Sequence, residues 1–239
     1  MCTVIVAMSQ WAEAPLVVMA NRDERLDRPA APATWRPHRD AQVFTPIDLQ
    51  AGGTWIGVSE SGLVAALTNR YGTDPDPARE SRGGLVLDAL SQGDMTGVAR
   101  WISTELDPRR TNAFHLVVSD GKQGALVWSD GSRLFGEELT SGFHVLSERS
   151  YGARPSEREE RIWADISALN EERPPSVEIV QGFLGQHDDD PARATCVHLD
   201  ELGYGTRSWS YIQKRRRPAE FHWYEGTGPP CKTAAERIL

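Results

Sequence analysis

Two apolar runs decide the fold of this chain, Cys2-Thr-Val-Ile-Val-Ala-Met8 and Leu16-Val-Val-Met-Ala20, the second of which ends abruptly in four polar residues, Asn21-Arg-Asp-Glu24. A short, nearly continuous run of apolar and β-branched residues is typical of a strand that is covered on both faces. Pro15 separates the two runs, so we predict two antiparallel neighbouring strands joined by the residues around it. In that arrangement the polar residues that follow the second strand lie close to Cys2.

The composition is that of an ordinary globular protein. The chain has 239 residues, of which 39% are hydrophobic and 25% charged, and this excludes collagen-like, coiled-coil and wholly disordered chains. Its 34 acidic and 26 basic residues leave a formal net charge of −8. A domain that binds duplex nucleic acid normally carries a positive surplus, so we expect no nucleic-acid partner.

Neither export nor a membrane span is predicted. The first twenty residues contain no Lys or Arg, whereas a secretory signal needs a basic start, and no apolar run approaches the roughly 20 residues that cross a bilayer. The three cysteines, Cys2, Cys196 and Cys231, show no C-x-x-C spacing, which argues against a disulfide framework and against a zinc ribbon. We therefore expect a protein of the reducing cytoplasm.

The remaining elements are predicted from hydrophobic periodicity. Residues 52–58 and 63–68 indicate a hairpin around Glu60-Ser61-Gly62, and the Pro- and Ala-rich residues 25–46 indicate a loop. Ser156, with Glu159 three residues later, is typical of a helix N-cap. We predict helices at residues 85–90, 98–106, 156–169 and 176–184, and further strands at residues 114–118, 124–128, 143–146, 195–199, 207–212 and 220–224. Strands grouped before and after central helices indicate one α+β domain over residues 1–239.

Cys2 is the first candidate for chemistry, because it directly follows the initiator methionine. Methionine aminopeptidases need a small second residue, and cysteine is small enough. Removal of Met1 would leave Cys2 with a free α-amine of pKa near ~8 beside a thiol of pKa near ~8.5. One residue would then hold both a nucleophile and its base. The alternative is that Cys2 is a small buried hydrophobe.

The polar tetrapeptide after the second strand favours the catalytic interpretation. Asp23 would accept hydrogen bonds from the α-ammonium, and Arg22 would favour the thiolate. The alternative is that the four polar residues form only the solvated end of the strand.

Short motifs in order along almost the whole chain form a recognisable set. They are Met1-Cys-Thr3, Ala20-Asn-Arg-Asp-Glu24, Arg28-Pro29, Gly52-Gly-Thr-Trp-Ile-Gly57, Ala65-Ala-Leu-Thr-Asn69, Ser81-Arg-Gly83 and Tyr204-Gly-Thr-Arg-Ser208. With these motifs the sequence resembles the NRDE family, which is related to the transport-and-Golgi-organisation proteins. The resemblance implies the four-layer αββα sandwich of the N-terminal-nucleophile hydrolases. It also points to the penicillin V acylase and bile-salt hydrolase group, which cleave linear amides with the residue that matches Cys2.

The resemblance assigns roles to further residues. Arg22 and Asp23 match an Arg and an Asp of the acylases, and Asn69 matches an Asn of their oxyanion hole, although it could instead cap a turn. Arg207 matches a late arginine that would bind a carboxylate or hold the acidic cluster, and an ordinary surface Arg is the alternative. Glu148 departs from the pattern because the family usually has Asn there. An ionised carboxylate offers only acceptors, so Glu148 would hold the α-ammonium or pair with Arg207.

These inferences lead to two hypotheses about function. The first is a cysteine amidohydrolase for a small-molecule linear amide, with catalytic Cys2, Arg22, Asp23, Asn69 and Arg207, and with substrate-binding residues Asn21, Glu24, Trp55 and Glu148. The second is a non-enzymatic carrier of haem, of an acyl-CoA or of a lipid. The first hypothesis needs no cofactor and no metal. The substrate, the removal of Met1 and the formation of homo-oligomers are left open.

Two further clusters are interpreted as structural. Cys196 and His198 occupy alternate positions of a predicted strand, which is typical of packing. The segment His187-Asp-Asp-Asp190 is typical of a solvated acidic loop rather than of a metal site.

Overall fold

The computed structural model describes residues 2–151, 156–169, 172–216 and 220–239, which form an α+β structure. The helices are α1 Gly83–Leu90, α2 Met95–Thr104, α3 Glu157–Ile166 and α4 Val177–Leu184. The strands are β1 Thr3–Met8, β2 Leu16–Arg25, β3 Ala30–His38, β4 Ala41–Asp48, β5 Ile56–Ser59, β6 Val64–Asn69, β7 Phe114–Ser119, β8 Gly124–Ser129, β9 Leu134–Glu138, β10 Gly142–Leu146, β11 His198–Leu199, β12 Tyr204–Lys214, β13 Phe221–Gly226 and β14 Glu236–Arg237.

The chain divides into two compact units, each built on one antiparallel sheet. The first unit comprises Met1–Asp27 and Ser141–Leu239, and the second comprises Arg28–Thr140. The first sheet has the order β10-β1-β2-β12-β13-β14, with β11 paired to β12, and the second runs from β3 to β9 in chain order. One domain over the whole chain stays a prediction.

The predicted pairing of the first two strands is confirmed. β1 and β2 are antiparallel, with Thr3 opposite Asn21 and Met8 opposite Leu16. Side chains alternate between the faces of a strand, so the odd-numbered residues of both strands share one face. That face packs with α3 and α4 in the core of the first unit, whose fully buried members include Ile5, Ala7, Val17, Ile162, Leu184, Trp209 and Tyr211.

A β-bulge interrupts the pairing of β12 with β2. Thr206 lies opposite Asp23 and Ser208 lies opposite Arg22, which leaves Arg207 as the extra residue between them. A bulge of this kind re-aims side chains locally while the strand continues.

The second unit packs α1 and α2 against its own sheet. Leu90, Val98 and Trp101 of the helices join Leu67 and Leu116 of the strands in one buried cluster. The predicted hairpin is confirmed, because β5 and β6 pair antiparallel.

The predicted loop over residues 25–46 is wrong, because most of this segment forms β3 and β4. β3 is an edge strand, and among the described residues it pairs with β4 alone. An edge strand tolerates prolines, since one row of its backbone N–H groups needs no partner. Trp35 and Phe44 face each other across the pair, with ring centroids 5.4 Å apart.

Two glycine-containing motifs of the second unit meet at their backbones. A Cβ atom on Gly53 would lie 2.7 Å from the Cα and carbonyl carbon of Gly83, so neither motif has room for a side chain there. The amide of Thr54 also donates to the carbonyl of Gly83, at 3.2 Å. Residues 53 and 83 must therefore be glycine, because the two backbones lie too close together for a Cβ atom.

The predicted N-cap of α3 is confirmed, and α4 begins with a cap of the same kind. Ser156 accepts a hydrogen bond from the amide of Glu159 at the start of α3, and Ser176 accepts one from Ile179 at the start of α4. Among the described helices, none has the length and apolar character needed to cross a bilayer.

Candidate active site

Cys2 lies against the polar end of β2. Its Sγ is 3.6 Å from the carbonyl oxygen of Asp23, to which the thiol donates. Because Thr3 pairs with Asn21, residue 2 stands at the point where the polar tetrapeptide begins. The two apolar strands thus bring the thiol to the polar residues that the sequence analysis selected.

The tetrapeptide divides between the two faces of the sheet. Asn21 and Asp23 share the face that packs with α3 and α4, whereas Arg22 and Glu24 lie on the opposite face. Arg22 is buried, and its guanidinium lies 3.8 Å from the Glu24 carboxylate. Strand alternation places Cys2 on the same face as Arg22, since Thr3 shares its face with Asn21.

Asp23 is a buried carboxylate with several partners. Its Oδ1 accepts a hydrogen bond of 2.6 Å from Thr206, and its backbone carbonyl accepts one of 3.0 Å from the Tyr204 hydroxyl. Desolvation by burial raises the pKa of Asp23 to about 6, against the lowering effects of the Thr206 hydrogen bond and of Arg158. Its other oxygen, Oδ2, is buried and accepts no hydrogen bond from any described residue.

A buried guanidinium joins Asp23 to Glu148. Nη1 of Arg158 lies 3.8 Å from Asp23 Oδ2 and 3.9 Å from Glu148 Oε2, and the Arg158 side chain is 1% exposed. Its Nη2 donates to the carbonyl of Pro191 at 3.1 Å. Oε2 of Glu148, like Oδ2 of Asp23, accepts no hydrogen bond within the described part of the chain. The site therefore holds two buried carboxylate oxygens that face one shared cation.

Arg158 is the residue of the candidate site that sequence reasoning missed. It lies in Ser156-Glu-Arg-Glu-Glu-Arg161, a charged segment that is typical of a solvated first turn of a helix. Helical spacing carries the missing signal, because Arg158 precedes Ile162 by four residues and Ile166 by eight. These three are the buried residues of α3, so the arginine lies on the apolar stripe.

Asn21 is tied to the segment that follows α4. Its Nδ2 donates to the carbonyls of Leu184 and Thr195, both at 2.9 Å, and the residue is 1% exposed. Both hydrogens of the side-chain amide are engaged, so Oδ1 is the remaining acceptor of this side chain. That atom is buried and accepts no hydrogen bond from the described residues.

The environment of Cys2 disfavours ionisation of its thiol. Burial raises the pKa of the Cys2 thiol, and the neighbouring Asp23 carboxylate raises it further, while Arg22 lowers it. A thiol with a raised pKa stays protonated at neutral pH, so it needs an adjacent base to act as a nucleophile.

Arg207, at the bulge, is half-buried and donates from Nη1 to the carbonyl of Leu26. Glu148 lies 3.9 Å from both Arg158 and Arg149. A pairing of Arg207 with Glu148 stays a prediction.

Trp55 and Asn69 lie in the second unit. Trp55 is half-buried directly before β5, and its carbonyl accepts a hydrogen bond of 2.9 Å from Leu67. Asn69 is the last residue of β6, lies opposite Phe114 and is exposed. The side-chain amide of Asn69 thus does not pack in the core. The oxyanion role of Asn69 stays a prediction.

Comparisons with solved structures identify the class of fold. The N-acylethanolamine-hydrolyzing acid amidase (NAAA) ortholog of Caenorhabditis elegans matches 88% of this chain and 92% of its own, with a TM-score of 0.57 and 13% identity. A variant of the conjugated bile acid hydrolase of Clostridium perfringens matches 99% of this chain and 92% of its own, with a TM-score of 0.50 and 10% identity. At such identities the likeness shows the fold alone. The predicted α+β fold of the N-terminal-nucleophile hydrolases is confirmed.

The family follows from the sequence comparison. The family model for Transport and Golgi organisation 2 matches residues 1–227, and the chain belongs to this family. The Mus musculus protein named Transport and Golgi organization 2 homolog is 30% identical over 142 residues, which are 57% of this chain and 49% of the relative. The chain spans about half the length of the curated relatives it matches.

Proposed function

We propose that this chain is a cysteine amidohydrolase that cleaves linear, non-peptide amides with Cys2 once Met1 has been removed. The observation that carries the proposal is the contact between the Cys2 thiol and Asp23 beside buried carboxylate oxygens that lack hydrogen-bond donors in the described chain. Buried polar atoms are normally hydrogen-bonded, so such oxygens mark a place that is ready for a cationic donor. An α-ammonium on Cys2 is a donor of that kind.

The carboxylates and Arg158 are assigned to positioning. An α-ammonium has three donors, and Asp23 Oδ2 and Glu148 Oε2 are acceptors of matching charge. Arg158 holds the two carboxylates together, so it acts through them and is a positioning residue. Glu148, where the acylase pattern has Asn, thus acts on the amine rather than on the oxyanion.

The proposed reaction follows the general covalent route for acyl transfer. The neutral α-amine of Cys2 takes the proton of its own thiol, and the thiolate attacks the amide carbonyl carbon. A hydrogen-bond donor to the oxyanion that forms is worth about 3–4 kcal/mol where such donors have been removed. The α-ammonium protonates the leaving amine as the carbon–nitrogen bond breaks, which leaves a thioester on Cys2. Water, deprotonated by the amine, then hydrolyses the thioester and restores the thiol.

The substrate class is proposed from the solved structures with the same fold. Their names mention N-acylethanolamine and conjugated bile acid as what those proteins hydrolyse. We propose a substrate of this type, an acyl chain linked to a small polar amine. N-acylethanolamides and bile-acid conjugates are therefore the first compounds to assay.

Two variants separate the roles of thiol and amine. Cys2→Ser keeps a small second residue and the amine but loses the thiol, whereas a leucine inserted between Met1 and Cys2 keeps the thiol and blocks removal of Met1. Intact-mass spectrometry checks the processing of each protein. We expect loss of turnover in both variants, with iodoacetamide labelling of this cysteine abolished in Cys2→Ser and only slowed in the insertion variant.

Unchanged turnover in Cys2→Ser would reject Cys2 as the nucleophile, and unchanged turnover in the insertion variant would reject the amine as the base. A mature protein that retains Met1 and is inactive on the whole panel would also contradict the proposal. In that case a haem or acyl-CoA titration, followed by absorbance or calorimetry, tests the carrier hypothesis.

A further inference from the structure

Four metal-ligating side chains, none of them assigned to the proposed reaction, converge in the first unit. His187, Cys196, His198 and Cys231 each present one ligand atom, and these four atoms all lie within 4.8 Å of one another. Cys196 is buried, His198 is half-buried, and the other two lie at the surface. No pattern of sequence spacing connects them, because the fold brings Cys231 to the others from beyond β13.

The distances match the edges of a tetrahedral site. The two Sγ atoms are 3.6 Å apart, and Nε2 of His198 lies 3.4 Å from Cys196 Sγ and 3.3 Å from Cys231 Sγ. For zinc bonded to sulfur at about 2.3 Å and to nitrogen at about 2.05 Å, tetrahedral geometry requires sulfur–sulfur edges of about 3.8 Å and sulfur–nitrogen edges of about 3.6 Å. Three of the ligand atoms are therefore already placed, and the ligand atom of His187 lies within 4.8 Å of each of them.

The backbone around these ligands is held in place by hydrogen bonds. The amide of Cys196 donates to the carbonyl of Gln186 at 2.9 Å, which closes the loop between the first two ligands. On the other side, Gln181 of α4 donates to the carbonyl of Pro230 at 2.8 Å, and Trp209 of β12 donates to Thr233 at 3.0 Å. The loop that carries Cys231 is thus anchored on both sides of the cysteine.

We propose that His187, Cys196, His198 and Cys231 form a structural zinc site. Two thiolates and two neutral imidazoles are a donor set that zinc takes with tetrahedral geometry, and four protein ligands leave no position for substrate. Binding releases the two thiol protons, so the two thiolate charges balance the Zn²⁺ charge. A Cys196–Cys231 disulfide would use only the two sulfurs and would leave unexplained why two imidazoles point at the same place.

The zinc site would support the wall of the candidate active site. Val197, between two of the ligands, donates to Thr206 Oγ1 at 2.8 Å, and Thr206 in turn donates to Asp23 at 2.6 Å. Thr195, adjacent to Cys196, accepts from Asn21. The metal would therefore fix the segment that orients Asn21 and Asp23, without contact to the reacting atoms.

Metal content tests the site without any assay of enzymatic activity. The full chain, expressed in zinc-supplemented cells and purified with a non-chelating phosphine reductant, is analysed by inductively coupled plasma mass spectrometry. We expect about one zinc per chain, and at least a tenfold lower content in Cys196→Ser and in Cys231→Ser. Cys2→Ser and His222→Gln change the remaining cysteine and a histidine outside the cluster, so they should keep the metal.

Cobalt gives a second readout that needs no variant. Protein stripped of metal and titrated with Co²⁺ should develop a thiolate-to-cobalt charge-transfer band and the intense visible bands of tetrahedral cobalt, which one equivalent of zinc removes. Three results would overturn the proposal: no bound zinc together with no cobalt bands, equal zinc in wild type and in the Cys196→Ser/Cys231→Ser variant, or a Cys196–Cys231 disulfide in the reduced preparation.

Discussion

Arg158 is the residue whose environment most constrains the candidate site. It is fully buried, yet it faces two carboxylates at nearly equal distances of 3.8 and 3.9 Å. Removing one partner of a buried ionic group costs far more than an exposed pair contributes, because the remaining charges are left in a poorly solvating interior. Loss of one member of the triad Asp23–Arg158–Glu148 should therefore destabilise the protein more than the intact triad stabilises it.

We expect Arg158→Met to destabilise the protein by about 3–5 kcal/mol at pH 8. The loss should be smaller at pH 5, because the pKa of Asp23 is already raised to about 6 by burial and rises further without the guanidinium, so the carboxyl is then protonated. Urea unfolding at both pH values measures the difference.

Arg161→Met is the matched control, since Arg161 lies on the same helix and pairs with Asp188 at the surface. Its cost should stay below about 1 kcal/mol. Equal losses for the two variants, or a loss at Arg158 that does not change with pH, would contradict the buried triad.

The sequence predicts one half of this site and not the other. Apolar, β-branched runs predict β1 and β2 well, and their antiparallel pairing places Cys2 beside Asp23 without further information. Arg158, Tyr204 and Thr206 come from elements far along the chain. Their contacts with Asp23 depend on the register of β12 and on the way α3 packs, neither of which local patterns encode.

At the scale of elements, the contact of two glycine-containing motifs in the second unit restricts which residues can stand there. Residues 52–57 and 81–83 touch where Gly53 meets Gly83, with no space for a Cβ atom. The contact joins the segment before β5 to the start of α1. Overpacking at such a point forces the backbone apart, because the neighbouring atom is not a flexible side chain.

Gly53→Ala should therefore destabilise the protein by about 1–3 kcal/mol. Gly84→Ala is the matched control, because a Cβ there meets nothing within 4 Å and Gly84 lies within α1, where alanine is favoured by up to about 1 kcal/mol. Thermal unfolding of the two variants should give shifts of opposite sign. Melting-temperature shifts of the same sign and size would show that residue 53 does not need to be glycine.

The strands that sequence reasoning missed include β3, at the edge of the second sheet, and its neighbour β4. β3 is mostly exposed or half-buried along its length, so it lacks the apolar run that marks β1 or β7. Pro32 and Pro37 lie within it, and prolines normally indicate a loop. What forms this strand is its hairpin pairing with β4, a cross-strand interaction that hydrophobic periodicity does not report.

For the whole molecule, a buried carboxylate on β13 sets part of the pH dependence of stability. Burial raises the pKa of Glu225 to about 7 from the ordinary 4.5. The folded form thus binds a proton more tightly than the unfolded form, and stability falls as the pH rises from about 4.5 to 7. Above that range the full penalty, up to about 3 kcal/mol, is present.

Glu225→Gln should raise the melting temperature at pH 8 and change it little at pH 4, because the wild-type carboxyl is neutral at the lower pH in both states. Glu138→Gln, an exposed carboxyl on β9, should behave like wild type at both values. Scanning calorimetry at the two pH values compares all three proteins. A gain that is equal at pH 4 and pH 8 would indicate altered packing rather than a titrating group.

The division of the first unit along the chain has a consequence for synthesis on the ribosome. Residues 28–140 emerge before the greater part of that unit, so the β1–β2 hairpin must wait with both of its edges open until β10 and β12 have been translated. Pairings that span so much of a chain form slowly, and open apolar strands are prone to aggregation. The nascent protein is therefore most vulnerable in the interval before its last third leaves the exit tunnel, and we expect chaperones to matter most there.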